Sequence, residues 1–147
     1  MIGVSRHDVM QKLAQTQITY HSPLTTYFVH GFDGMDEITL TNNSYLLAYE
    51  NGKILEEEII NPEKFGFKKV GLETLMGADA KYNAEKLIAL LNGEKSAYRE
   101  IVILNSAFAL KLAQRVIKIE EGVELAQSLI DSGKAKIVLQ SSQQTNV

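Results

Sequence analysis

Residues 26–41 combine a strand-like run with a glycine-rich loop, and this combination constrains the fold more than any other part of the chain. Residues 26–29, Thr-Tyr-Phe-Val, are β-branched or aromatic and predict a short strand. Gly31 and Gly34 then predict a loop, because glycine permits positive φ or a close approach of the backbone to a ligand. Loops that follow a strand often carry ligand-binding residues, so this segment is the first candidate for a site.

An adjacent acidic pair, Asp36 and Glu37, follows the second glycine. Carboxylate oxygens are the hard ligands that Mg²⁺ and Mn²⁺ prefer. Neighbouring side chains of a regular strand point to opposite faces, so the pair can share a metal only where the backbone is irregular. Acids in a glycine-rich loop are more often solvated turn residues, and spacing alone does not exclude that interpretation. The alternation of Ile38 and Leu40 then predicts a second strand.

Composition limits the class of protein. A chain of 147 residues with 45% hydrophobic and 22% charged residues suits one globular domain with a hydrophobic core. The net charge of −3 gives no support for nucleic-acid binding. The sequence has no cysteine, which excludes disulfides and thiolate chemistry and fits a cytoplasmic location. No apolar run is long enough to predict a membrane span, so neither nucleic acid nor membrane is an expected partner.

Two further strand-like runs, at residues 45–50 and 53–60, predict a β-hairpin. Asn51-Gly52 joins them, and this dipeptide favours a type I′ turn because both of its central positions need positive φ. Residues 2–4, Ile-Gly-Val, predict the end of a strand at the very start of the chain.

Helical periodicity predicts one helix after this strand end and three helices in the second half. Ser5 is a favourable N-cap for the first, and Asp79 and Ser96 are favourable N-caps for the next two. The last predicted helix opens at Ile119. The helix after Ser96 is apolar around most of its circumference and predicts a buried central helix, in which Asn105 is expected to satisfy a backbone or loop group.

The acidic loop also carries a long and specific motif. Residues 30–41 read His-Gly-Phe-Asp-Gly-Met-Asp-Glu-Ile-Thr-Leu-Thr. This segment resembles the pattern His-Gly-x-Asp-Gly-x-Asp-Glu-Ile-(Ser/Thr)-Leu-Thr of the anthranilate phosphoribosyltransferases of tryptophan biosynthesis. Every defined position of the pattern is filled, by His30, Gly31, Asp33, Gly34, Asp36, Glu37, Ile38, Thr39, Leu40 and Thr41.

Other segments extend the resemblance from about residue 2 to residue 139. Residues 62–66 and 131–135 resemble the family's Pro-Glu-x-Phe-Gly and Asp-Ser-Gly-x-Ala elements. Two positions depart from the family: Ala78 replaces a glycine of Gly-Gly-Asp, and Tyr82 replaces the glutamate of Glu-Asn-Ala.

The resemblance implies an α/β fold, specifically an incomplete catalytic domain of the anthranilate phosphoribosyltransferase and nucleoside phosphorylase-like type, with C-terminal helices packed on the sheet. It implies a single partial domain over residues 1–140 and a polar tail over 141–147. Family members transfer the phosphoribosyl group of phosphoribosyl pyrophosphate to anthranilate with the help of Mg²⁺. The resemblance assigns the magnesium ligands to Asp36 and Glu37.

The resemblance covers only the C-terminal part of the family's enzyme. The sequence has no Gly-Thr-Gly-Gly-Asp loop and no Lys-His-Gly-Asn segment, which supply the family's phosphate and anthranilate sites. We therefore assign no catalytic or substrate-binding residue and expect the chain alone to be inactive. Phosphoribosyl pyrophosphate and anthranilate are expected partners only if a complementary N-terminal half completes the site.

Two alternatives stay open at this point. One is a non-catalytic remnant that binds another molecule or self-associates through a sheet face left uncovered, which would expose an apolar patch. The other is a phosphorylase-type protein, against which the paired acids argue. His30 is expected to bond to the backbone at the end of its strand rather than to act in catalysis.

Overall fold

The computed structural model describes residues 1–144. It contains one five-stranded sheet and five α-helices in this part of the chain. In chain order the elements are β1 Ile2–Gly3, α1 His7–Thr19, β2 Thr26–Gly31, β3 Ser44–Glu50, β4 Lys53–Ile54, β5 Glu58–Ile60, α2 Ala80–Leu91, α3 Ala97–Leu112, α4 Ile119–Asp131 and α5 Lys134–Gln144. Two 3₁₀ helices, Pro62–Phe65 and Leu72–Thr74, lie between β5 and α2.

The sheet is mixed. β1 pairs in parallel with β2, and β2 pairs antiparallel with β3, which in turn pairs antiparallel with both β4 and β5. The predicted hairpin is confirmed, since Asn51 and Gly52 have φ values of 50° and 79°. Its second strand is split into β4 and β5. Within residues 1–144 no strand pairs with the outer edge of β1.

Helices cover both faces of the sheet. Alternate residues of a strand point to opposite faces, so Phe28 and Leu47 face α1 while their neighbours Val29 and Leu46 face the later helices. The predicted central helix is confirmed as α3, which packs between the sheet and α4. Within residues 1–144 the sheet is open at both of its edges, at β1 on one side and at β4 and β5 on the other.

The predicted N-caps are confirmed for α2 and α3 but not for α1. Asp79 accepts a hydrogen bond from the backbone N–H of Tyr82, and Ser96 caps α3 in the same way. The N-cap of α1 is Arg6 rather than Ser5. The reason lies in the sheet: the N–H of Val4 donates to the carbonyl of Val29 at 3.0 Å, which keeps the chain extended one residue further.

The end of the chain holds one more helix than the sequence predicts. α4 begins at Ile119 as expected, but α5 follows it and continues through residue 140, the predicted limit of the domain, to Gln144. The rest of the predicted tail, 145–147, lies outside the described residues, so the division into domain and tail stays a prediction. None of the helices in the described part combines the length and apolar character needed to cross a bilayer.

Candidate functional site

The glycine-rich loop leaves β2 through a tight turn. The N–H of Gly31 donates to the carbonyl of Met35 at 2.8 Å, and the N–H of Gly34 donates back to the carbonyl of Gly31 at 2.9 Å. Gly34 has φ of 91°, a conformation that side chains disfavour. At Gly31 a Cβ would collide with the carboxylate of Asp33. Gly34 thus provides the positive φ that the sequence anticipated, and a side chain at Gly31 would displace the Asp33 carboxylate.

Asp33 organises this loop through hydrogen bonds. Its carboxylate accepts from the hydroxyls of Thr39, at 2.6 Å, and Thr41, and from the N–H of Met35 at 3.0 Å. Burial raises the pKa of Asp33, but these three donors outweigh burial and hold the pKa below its ordinary value. Asp33 thus stays ionised and occupied within the loop, so it is not a free ligand.

The second strand predicted at Ile38 and Leu40 is wrong. Both side chains are fully buried, which accounts for the alternation, but no strand runs through them. The backbone is bonded by side chains instead: Asn105 accepts from the N–H of Ile38 at 3.0 Å and donates to its carbonyl at 2.8 Å. The N–H of Thr39 donates to the hydroxyl of Ser44. These side chains satisfy groups that a neighbouring strand would otherwise have to satisfy.

The irregular backbone is what an adjacent pair of metal ligands requires. Asp36 is exposed and Glu37 is half-buried. Burial raises the pKa of the Glu37 carboxyl, and the negative charges of Asp36 and Asp33 raise it further. Neither acid of the pair forms an ion pair with a basic residue in the described part of the chain. The loop therefore places two neighbouring carboxyls together with no basic side chain of residues 1–144 paired to them.

Gly3 of β1 brings the start of the chain against this pair. A Cβ at Gly3 would overlap the carbonyl oxygen of Asp36. The sequence predicted the strand end but not this contact, although a glycine inside a strand is a recognised sign of a close backbone approach. His30 behaves as predicted, since its Nδ1 is hydrogen-bonded to the carbonyl of Val4 at 2.9 Å.

The donor set fits magnesium held jointly with a phosphorylated ligand, and does not fit an all-protein metal cage. Among residues 1–144, no three His, Asp or Glu side chains are grouped to hold a metal ion. Mg²⁺ keeps several waters and is commonly bound by one or two carboxylates together with substrate phosphates. Asp36 and Glu37 are the two carboxylates expected to serve in this way, and their role as metal ligands stays a prediction.

Comparison with known proteins decides the family. Residues 1–136 match the model of the glycosyl transferase family, a/b domain. The chain belongs to this family. An anthranilate phosphoribosyltransferase of Thermoanaerobacter sp. (strain X514) is 44% identical over 135 residues, which are 92% of this chain and 39% of that protein. One of Caulobacter sp. (strain K31) is 40% identical over 95% of this chain, again covering 39% of its own length.

Solved structures of this glycosyl transferase family confirm the α/β fold. Anthranilate phosphoribosyltransferase from Thermus thermophilus superposes with a TM-score of 0.81 at 27% identity, covering 95% of this chain and 40% of that chain. The enzyme from Saccharomyces cerevisiae in complex with PRPP and Mg gives 0.84 at 22% identity, covering 94% and 40%, and supports the fold alone. The chain thus spans about two-fifths of the length of these relatives.

Proposed function

We propose that this chain is the C-terminal portion of an anthranilate phosphoribosyltransferase and provides the two carboxylates, Asp36 and Glu37, that bind magnesium in that enzyme. One observation carries the proposal: a half-buried glutamate and its acidic neighbour lie on a pinned, irregular loop with no basic residue paired to them in the described part of the chain. The chain's membership in the glycosyl transferase family supports it.

The proposed reaction joins the phosphoribosyl group of phosphoribosyl pyrophosphate to the amine of anthranilate and releases pyrophosphate. Magnesium, when bound, would supply positive charge to offset the negative charge that gathers on the departing diphosphate as its bond to the sugar carbon breaks. Asp36 and Glu37 would hold the ion at the loop. Their pinned backbone means that little reorganisation is needed when the ligand binds.

The 147 residues are proposed to be inactive by themselves. The phosphate loop and anthranilate segment of the family are absent from this sequence, and the relatives are much longer than the region they share with it. Phosphoribosyl pyrophosphate and anthranilate are therefore proposed partners only of a site completed by a further, N-terminal half. A cytoplasmic location belongs to the same proposal. Turnover by the purified chain with both substrates would contradict this part of it.

The metal role can be tested on the chain itself. Mn²⁺ binding is titrated by electron paramagnetic resonance, with and without pyrophosphate, for the native chain and for Asp36→Asn and Glu37→Gln. We expect native binding that pyrophosphate strengthens and that each substitution weakens at least about tenfold, because each removes one of two carboxylate ligands. Glu56→Gln is the matched control, since Glu56 is an exposed acid on the hairpin. Binding that survives both loop substitutions, or no native binding at all, would refute the proposal.

An alternative, a non-catalytic module that self-associates, is favoured by one feature, the open edge of β1. Met1 and Ile2 at this edge are 41% and 40% exposed. An unpaired strand edge can pair with another chain. Analytical ultracentrifugation tests this alternative. A dimer of the native chain that the substitution Ile2→Lys converts to monomer would support self-association through this edge. A monomer at every concentration would contradict it.

A further inference from the structure

The backbone on both sides of Glu37 is held by residues distant in sequence. On one side, the carbonyl of Asp36 lies against Gly3, where there is no room for a Cβ. On the other, Asn105 bonds both the N–H and the carbonyl of Ile38 across a separation of 67 residues. Two independent elements, β1 and α3, thus set the path of the acidic pair.

Asn105 is itself firmly placed. It lies in α3, next to Leu104, which is fully buried. Its side-chain amide also donates to the carbonyl of Ile101, one turn earlier in the helix, at 3.0 Å. The amide therefore has few alternative orientations, and it transmits the position of the core helix directly to the loop. A side chain that bonds a ligand-bearing segment in this way acts as an outer support for the ligands themselves.

We propose that Asn105 and Gly3 are positioning residues that aim the carboxylates of Asp36 and Glu37 at a shared divalent cation. The proposal rests on the metal role proposed above and deepens it. Metal sites need ligands held close to the productive geometry, and ligands on a loop reach that precision only when rigid elements support them. Here the support comes from one hydrogen-bonded clamp and one close backbone contact.

The chain offers a matched control for each position. Asn83 makes the same clamp elsewhere: its amide accepts from the N–H of Ala78 at 3.0 Å and donates to the carbonyl of Ala78 at 3.2 Å. Gly122 is a milder counterpart of Gly3, because a Cβ there would meet the backbone of Ala107 at 2.9 Å, in the contact between α3 and α4, whereas a Cβ at Gly3 would overlap a backbone oxygen. Substitutions at Asn83 and Gly122 disturb the structure without touching the acidic loop.

The test compares Asn105→Leu with Asn83→Leu, and Gly3→Ala with Gly122→Ala, in the full 147-residue chain. Circular dichroism establishes that each variant is folded. Hydrogen exchange of the Ile38 amide reports the clamp, and Mn²⁺ titration in the presence of pyrophosphate reports the ligands. We expect Asn105→Leu and Gly3→Ala to weaken Mn²⁺ binding about tenfold or more, the usual effect of losing an outer support. The two controls should leave it unchanged.

Asn105→Leu should also speed exchange of the Ile38 amide at least about tenfold relative to Asn83→Leu. Folded variants of Asn105 and Gly3 that bind Mn²⁺ as tightly as the native chain would overturn the proposal, as would equal losses in the controls. If either Asn105→Leu or Gly3→Ala does not fold, the other variant decides by the same measurement. A native chain that binds no Mn²⁺ is a different failure: it refutes the proposed metal role, and the positioning role falls with it.

Discussion

Removal of the Asp33 carboxylate should destabilise the folded chain by an amount that can be worked out from the contacts of that carboxylate. Asp33→Ala deletes the acceptor of two hydroxyls and one backbone N–H. Thr39 is fully buried, so its hydroxyl cannot turn to water, and it would be left with the weaker acceptors Thr41 Oγ1 at 3.3 Å and Met35 Sδ at 3.6 Å. At about 1 kcal/mol for each hydrogen bond, with a discount for the half-exposed carboxylate and a small penalty for the weaker acceptors left to the Thr39 hydroxyl, the loss is about 2–4 kcal/mol.

Thermal unfolding by circular dichroism measures this loss. A change of this size in a chain of this length lowers Tm by roughly 5–15 °C. Asp36→Ala is the matched control, since it deletes an exposed carboxylate from the same loop and should leave Tm nearly unchanged. A fall of less than about 3 °C for Asp33→Ala, or an equal fall for the control, would refute the assignment of Asp33 as the loop's organising residue.

The pH dependence of the same difference is a second check. The folded state lowers the pKa of Asp33 from 3.8, so its contribution to stability is complete above that pH and is lost as the pH falls through the lowered pKa. The gap in stability between the native chain and Asp33→Ala should therefore be constant near neutral pH and close in acid. A gap that widens in acid would contradict the hydrogen-bonding assignment.

Two further predictions concern stability. In metal-free buffer Glu37→Gln should be more stable than the native chain at pH 7. The folded state raises the pKa of Glu37 above 4.5 and so disfavours the ionised carboxylate, which glutamine lacks. Chemical denaturation should show this advantage in stability vanish as the pH falls below 4.5. Gly122→Ala should lower the free energy of unfolding by about 1–2 kcal/mol in urea titrations, although alanine favours helix. The reason is that the backbone of Ala107 cannot yield to the new methyl group as a flexible side chain could. A stabilised variant would show that α3 and α4 can move apart to accommodate the methyl group.

The sequence by itself determined the features that depend on neighbouring residues. Asn51-Gly52 specifies its turn because both residues accept positive φ, and Asp79 and Ser96 begin their helices because each side chain reaches a backbone N–H three residues later. The motif over residues 30–41 likewise lies in one continuous stretch and indicated the family that the comparisons confirm.

Only the tertiary structure decided how the acidic pair is presented. The alternation of Ile38 and Leu40 predicts a strand, yet Asn105, 67 residues from Ile38, bonds the backbone in place of a neighbouring strand. Gly3 contacts the carbonyl of Asp36 because β1 pairs in parallel with β2. Alternation records which side chains are buried, whereas the backbone's hydrogen-bond partners come from whatever the fold brings alongside, and no local pattern encodes them.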